Sequence, residues 1–476
     1  MRDHPIENIA AAPLPRAGRF AIAAGMVLTA LCIGYALFLD EGNYSRGALV
    51  WLSLGAIFCF LTVTLPENQA AEALCRRRLT MLLVGGIIIE AARFLQKWGH
   101  DDSSITLGIC VIVILGLLQA THLRRLRTPL FLIMIGTFCL VWSIGFRIYA
   151  ARPGIDVYVF QQRSANELLH GRDPYATRFP NVYEPDTPFY GPGVVDANNW
   201  LTYGFPYPPL SLLMVMPGYI LGGDCRYAHV LAMSLAAILM AMARPGRWGA
   251  LAATLFLLTP QTPFVLDLAW TEPLLAFNFS LAMFCACRWR KALPYALGLF
   301  FATKQYTVLA LPALFLLIDG PNPWKQLWDI VFRAGMVVAV ITVPFFLWNP
   351  HEFIRAVVLW QLVQPFRLDA LSYLVFVYHH NGHHRLPVWT PLLAVIPAMG
   401  IACWRLRRSP AGFAAAVTFI NLAFFAFNKQ AFCNYYYFVV ATACWAIAAT
   451  GAGEPESAPV PAEVTAARLA EAHVPS

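Results

Sequence analysis

Apolar blocks of roughly 20 residues recur along nearly the whole chain, and that is the length at which a helix crosses the hydrocarbon core of a bilayer. They fall near 19–39, 47–66, 79–97, 103–121, 129–150, 207–222, 226–243, 248–264, 270–287, 292–318, 329–348, 386–404, 411–427 and 431–450. Lipid offers backbone N–H and C=O groups no partners, so spans of this kind must satisfy those groups internally, as helices. The expected fold is therefore all-α: a polytopic transmembrane helical bundle of about 12–14 spans, with one large external loop carrying juxtamembrane helices. Composition agrees, since 59% of the 476 residues are hydrophobic and 13% are charged, against about 25% charged in soluble domains. A soluble globular enzyme, a disordered chain and a nucleic-acid-binding protein are excluded. The net charge of +8 reads as Arg and Lys of cytoplasmic loops.

The 11 cysteines lie mostly within apolar runs, as Cys32, Cys59, Cys110, Cys139 and Cys444 do, and none has metal-type spacing. They read as small packing residues. Residues 1–18 are polar and lead into an uncleaved first span. Arg76–Arg77–Arg78, Arg124–Arg125, Arg127 and Arg405, Arg407 and Arg408 mark cytoplasmic loops. The loops holding Asp101 and Asp102, 151–206, 349–385 and Asn428–Asn434 are then external. Arg244, Arg247, Arg288, Arg290 and Lys291 also want the inside. They reach it if the short 207–222 block, which opens with Pro208-Pro209, is half-embedded or juxtamembrane. Residues 1–128 read as a four-span anchor module with little chemistry, 129–450 as the main membrane domain, and 451–476 as a disordered cytoplasmic tail.

The loop 151–206 has no long apolar run, yet it is dense in Tyr, Phe, Trp and Pro and carries six acidic residues and four arginines. A loop this long is functional or disordered, and its aromatics argue against disorder. Asp156 opens it at the membrane surface, as a helix N-cap or as an active-site carboxylate. Gly171-Arg172-Asp173-Pro174-Tyr175 forms a turn, and Tyr207-Pro208-Pro209-Leu210 leads back into the membrane.

With these pieces the chain resembles the bacterial polyprenol-phosphate-mannose-dependent mannosyltransferases of the GT-C superfamily. Lys304-Gln305-Tyr306 and Leu311-Pro312 extend the likeness, which covers about 129–450. The resemblance implies a glycosyltransferase that moves a sugar, mannose by analogy, from a polyprenyl-phosphate donor to an acceptor hydroxyl at the external face. It also implies a bacterial inner-membrane setting with the active site toward the periplasm, a glycan or lipid acceptor, and Asp156 acting near the acceptor. A carboxylate suits that role as general base, and fixed cations would stabilise the departing phosphate.

Lys304 interrupts an apolar stretch, where a charge costs on the order of 3 kcal/mol. It is expected to bind the donor phosphate, to snorkel or to form an ion pair. Lys429 is a second phosphate candidate, or binds an external head group. Asp267 and Glu272 are candidates for a second carboxylate if their turn is external, and capping residues otherwise. Glu90 and Arg93 read as an ion pair on one helix face. Tyr158, Gln161, Arg172, Asp173, Tyr175 and Tyr207 are candidate substrate-binding residues, although an aromatic belt explains external Tyr and Trp equally well. The stretch 351–368 reads as an interfacial helix. His379, His380, His383 and His384 flank an Asn-Gly turn that breaks ligand geometry and read as a polar loop rather than a metal site. No cofactor is called for, and a divalent metal is neither demanded nor excluded. The sequence lacks a Gly-rich phosphate loop, which favours a lipid-linked donor. The competing readings are a transporter or lipid flippase, which commonly shows internal repeats not seen here, and a non-catalytic envelope scaffold.

Overall fold

The computed structural model describes residues 16–99, 103–121, 123–149, 153–184, 187–318 and 321–451. Asp101, Asp102 and the 452–476 tail lie outside the described residues. Helices make up the architecture, and among the described residues strand pairing is confined to three isolated bridges. The helices are α1 (Arg19–Asp40), α2 (Arg46–Thr64), α3 (Gln69–Trp98), α4 (Ser103–Leu118) and α5 (Arg124–Tyr149), followed by α6 (Asp156–Leu169) in the large loop. Then come α7 (Pro209–Gly222), α8 (Arg226–Met242), α9 (Trp248–Leu257), α10 (Thr262–Asp267), α11 (Glu272–Arg288) and α12 (Leu293–Phe301). The last group is α13 (Pro323–Trp348), α14 (Pro350–Ile354), α15 (Trp360–Val363), α16 (Tyr373–His380), α17 (Thr390–Arg405), α18 (Pro410–Ala426) and α19 (Cys433–Thr450).

Local sequence sets many of the boundaries. Ser45, Asn68, Ser372 and Ser409 accept hydrogen bonds from backbone N–H groups of the helices they precede, satisfying donors that a helix start leaves bare. Proline opens α7, α10, α11, α12, α13, α17 and α18 within their first two positions, where its missing N–H costs nothing.

The polytopic helical bundle is present, and its helices vary in length. Among the described residues, five helices are long and apolar enough to cross a membrane, or up to six with the α7–α8 pair, which bends by 116°. Helices α4, α9, α17 and α18 are apolar but shorter. The reason is breakage. The 292–318 block stops at Thr303 because Lys304 adopts an extended backbone (φ −153°, ψ 147°), and two 3₁₀ turns follow it, Gln305–Ala310 and Pro312–Leu317. The 248–287 region breaks at 258–261 and again at 268–271, where Ala269 has φ +54°. Backbone freed by such breaks survives at membrane depth only inside protein or beside a polar cavity.

Two apolar cores result. The larger joins α1, α3, α8, α9, α11, α18 and α19. Helix α1 is apolar all round and lies inside this core, packed on α2, α3 and α19. The first four helices thus share the main core with the rest of the bundle. The second core belongs to the loop that caps the bundle: Tyr158, Phe160, Tyr175, Phe179 and Phe205 pack with Phe353, Val357 and Trp360.

The molecule has two chemically distinct ends. At one, arginines donate to terminal carbonyls: Arg247 to Ala120 (2.7 Å), Arg290 to Leu317 (2.7 Å), Arg405 to Thr64 (2.5 Å) and Arg19 to Thr450. Helix C-termini favour such cations. At the other, the end of α1, the start of α6 and the start of α19 converge on a cavity.

Candidate functional site

The cavity has a volume of about 400 Å³, within the range of small-molecule clefts. Asp156, Tyr207, Lys304 and Arg367 all contribute to its lining. Asp156 is the first residue of α6 and is held from several sides. Its Oδ1 accepts from the Val157 N–H (2.7 Å) and the Tyr183 hydroxyl (3.2 Å), and its Oδ2 accepts from the Tyr190 hydroxyl (3.0 Å). Burial pushes the Asp156 carboxyl above its usual range, while hydrogen bonds from Tyr190, Val157 and Tyr183 and the Arg367 charge act in the opposite direction. Burial pushes both tyrosine hydroxyls up, and the Asp156 charge adds to it, so they remain donors. A carboxyl with a raised pKa is a stronger base than a surface aspartate.

Lys304 is buried where the 292–318 segment breaks. Its Nζ donates to Glu272 Oε1 (2.5 Å) and Thr271 Oγ1 (2.9 Å), and the Tyr306 hydroxyl also donates to Glu272 Oε1 (3.2 Å). The rings of Tyr207, Tyr306 and Tyr435 lie 5.5, 5.4 and 5.2 Å from the ammonium, a cation–π setting. The fully buried Glu272 opens α11 and keeps its Oε2 without a hydrogen-bond partner. The ion-pair alternative for Lys304 is thus realised, and Lys304 also faces the cavity.

The second cavity cation is Arg367, which sequence reasoning missed. It grips Asp369 with two bonds, Nε to Oδ1 (2.8 Å) and Nη2 to Oδ2 (2.5 Å), and stacks over Phe189 at 3.9 Å. The 351–368 stretch that carries it is α14, a π turn at Arg355–Leu359, α15 and a following loop. One face of this stretch packs into the cap and lines the cavity through Trp360, Gln361, Gln364 and Arg367, while Ile354, Val358, Leu359 and Leu362 are exposed on the other.

The α1–α2 turn also reaches the cavity, through Glu41 and Asn43. Glu41 and Gly42 have φ of +57° and +82°. Asn43 bridges to Ala370, the Tyr44 N–H donates to the Asp369 carbonyl (2.8 Å), and Glu41 pairs with Lys97 at 3.0 Å. The first spans, expected to carry little chemistry, thus contribute their turn to the cavity wall.

Other sequence candidates lie elsewhere. Lys429 donates to the Gln364, Leu362 and Gln361 carbonyls (2.6, 3.4 and 3.5 Å), closing the end of α15, and burial lowers its pKa. Its neighbour Gln430 lines the cavity instead. Asp267 is 56% exposed and pairs at 2.8 Å with the buried Arg226, which also binds Asp224. That cluster lies outside the cavity lining. Tyr158 sits over Arg226 in the cap core, and Gln161 is buried, donating to the Ala269 carbonyl (2.5 Å).

The Gly171–Tyr175 turn is a structural staple. Arg172 pairs with Glu167 on the surface, Asp173 Oδ1 accepts from the Tyr175 N–H (2.9 Å), and the buried Tyr175 donates to the Tyr207 carbonyl (3.0 Å). Of the six substrate candidates, Tyr207 alone is part of the cavity wall among the described residues. Glu90 and Arg93 pair at 2.8 Å within α3. The four histidines of the 379–384 segment are largely exposed. Among the described residues, no group of three or more His, Cys, Asp or Glu side chains is placed to hold a metal ion.

No family model and no curated protein matches the chain. Among solved structures it is similar to ArnT from Cupriavidus metallidurans, whose crystal structure is bound to undecaprenyl phosphate. That likeness has 18% identity and a TM-score of 0.44, and covers 67% of this chain and 60% of the other. The chain thus spans about 60% of that neighbour's length, and a likeness of this size assigns neither a function nor a residue.

Proposed function

We propose that this protein is a membrane glycosyltransferase that moves a hexose, mannose in the first instance, from a polyprenyl-phosphate donor to an acceptor hydroxyl in the Asp156 cavity. Asp156 takes the acceptor proton as the hydroxyl oxygen attacks the anomeric carbon. The bond from that carbon to the phosphate oxygen breaks, and polyprenyl phosphate leaves. Lys304 and Arg367 meet the charge that develops on the departing phosphate. The reading places the site at the periplasmic face of a bacterial inner membrane, with the arginine-capped end in the cytoplasm.

The observation that carries the proposal is the pairing, in one cavity, of a hydrogen-bonded carboxylate with two cations. One half of the pair suits proton removal and the other a phosphate leaving group. Tyr207 lies beside Lys304 and joins the two halves of the wall.

The test compares wild type with Asp156→Asn at matched membrane levels, measuring label transferred from polyprenyl-phosphate mannose to membrane glycan or lipid. Transfer should fall by about 10²–10⁴-fold in the variant, the usual worth of a general base. Equal transfer by both would remove Asp156 from the chemistry. Absence of transfer from mannose and from a panel of other polyprenyl-phosphate sugars would sink the transferase reading. A transporter would then be the next reading to test, with its dependence placed on the buried Lys304–Glu272 pair.

A further inference from the structure

A second cleft of about 460 Å³ lies at the arginine-capped end, between α12 and the start of α13. Arg290, Lys291, Lys325 and Arg333 line it, and among the described residues Asp329 is its one acid. Arg333 pairs with Asp329 at 2.8 Å and Arg290 donates to the Leu317 carbonyl. Lys291 and Lys325 are exposed, and among the described residues neither has an ion-pair partner. Among the described residues the charges of Lys291 and Lys325 are therefore left uncompensated.

The position of the cleft in the bilayer follows from its neighbours. Of the 26 residues of α13 only Ala334 is buried, so this helix faces lipid over its length. Trp324 and Trp328 are 75% and 71% exposed, and Trp289 beside Arg290 is 62% exposed. Exposed tryptophans at one level mark the membrane–water interface. Lys325, Asp329 and Arg333 recur every four residues, so they form one stripe beside the stripe of Trp324, Trp328 and Phe332. The charged stripe runs for about 12 Å along the axis at 1.5 Å per residue. Charge carried that far down a lipid-facing helix is costly unless a polar group meets it. The opposite end of α13 leads through α14 into the wall of the Asp156 cavity, so the cleft is remote from that site.

We propose that this cleft binds the phosphate head group of an anionic glycerophospholipid, with the acyl chains lying along the apolar face of α13. The proposal is independent of the transferase reading. Lys291 and Lys325 supply the attraction, Arg290 and Arg333 offer planar donors to phosphate oxygens, and the tryptophans bound the head group at the interface.

The full-length protein, delipidated in neutral detergent, would be titrated with phosphatidylglycerol and with phosphatidylcholine, counting bound lipids by native mass spectrometry. Wild type should retain phosphatidylglycerol in preference. Lys291→Gln combined with Lys325→Gln should weaken that binding by about thirtyfold, the effect of two cations at an anionic surface. Binding of phosphatidylcholine should not change. Lys325→Arg, which keeps the charge, should behave as wild type, and unchanged melting without lipid would show that the double variant is folded. Equal binding of the two lipids by wild type, undiminished phosphatidylglycerol binding by the double variant, or a site that takes only polyprenyl phosphate would each overturn the proposal.

Discussion

The chemistry of the cavity depends on how Asp156 is held. Tyr190 donates to one carboxylate oxygen, and Tyr183 and the Val157 N–H donate to the other. These bonds favour the charged form and oppose the upward push of burial. If Asp156 acts as a base, activity falls as pH drops through its raised pKa, so the acid limb should lie above the range of a surface aspartate. Removing Tyr190 as donor in Tyr190→Phe takes away a bond that favours the carboxylate. The limb should then move to still higher pH, with maximal transfer retained on the alkaline side. A pH–rate profile of the two proteins checks this, and an unmoved or lowered limb would count against Asp156 as the titrating base. Lys304 allows a different test. Lys304→Met strands Glu272 in the core and should destabilise by about 3–5 kcal/mol. Adding Glu272→Gln removes the stranded charge, so the double variant should regain thermal stability but not transfer. Recovery of both would reduce Lys304 to a structural residue.

At the scale of elements, the breaks in the helices decide what reaches the site. The extended backbone at Lys304 ends α12 and brings its ammonium to the start of α11. The length of the apolar blocks made the all-α fold legible, and a lone charge in an apolar stretch made Lys304 legible. The same blocks hid the breaks, because an apolar run keeps its composition through a 3₁₀ turn. Asp156 was legible from its place at the start of a polar loop, whereas Arg367 was not. The alternation of Arg, Trp, His and aliphatics around it is equally that of a helix lying on a membrane surface, and Asp156, which lines the same cavity, is distant in sequence. Tyr175 and Tyr158 misled for a related reason, since rings that pack a cap and rings that stack on sugars have the same sequence signal. The α1–α2 turn was passed over because four apolar spans around it carry few charges. Its fit is exacting: a Cβ on Gly42 would meet the Cys433 backbone nitrogen at 2.3 Å, at a φ of +82°. Gly42→Ala should therefore cost about 2–4 kcal/mol from strain and overpacking, read as a fall in melting temperature. Glu41→Gln, which keeps the shape, should leave melting nearly unchanged and raise the KM for acceptor. A KM that stays fixed would remove Glu41 from the substrate wall.

At the scale of the whole molecule, the question is whether residues 1–128 form a separable module. The packing speaks for one cooperative body. Helix α1 is the inner partner of α19, the Gln261 side chain donates to the Leu37 carbonyl (2.7 Å), and the Trp98 indole donates to the Pro260 carbonyl (2.7 Å). These contacts bind the first helices to the segments that position Glu272 and Phe432, and their loss would expose the buried face of α19. Thermal unfolding in detergent, followed by a probe in α1 and another in α19, should give coincident transitions. A chain beginning at residue 129 should fail to accumulate in the membrane, and supplying 1–128 as a separate polypeptide should restore it in part, because the interface is large and apolar. Two resolved transitions, or a truncated chain that melts as wild type does, would show the first four helices to be an appendage. In that case the Glu41 and Asn43 wall could be removed without loss of the cavity, and transfer by the truncated chain would measure how much of the site the remaining helices build alone.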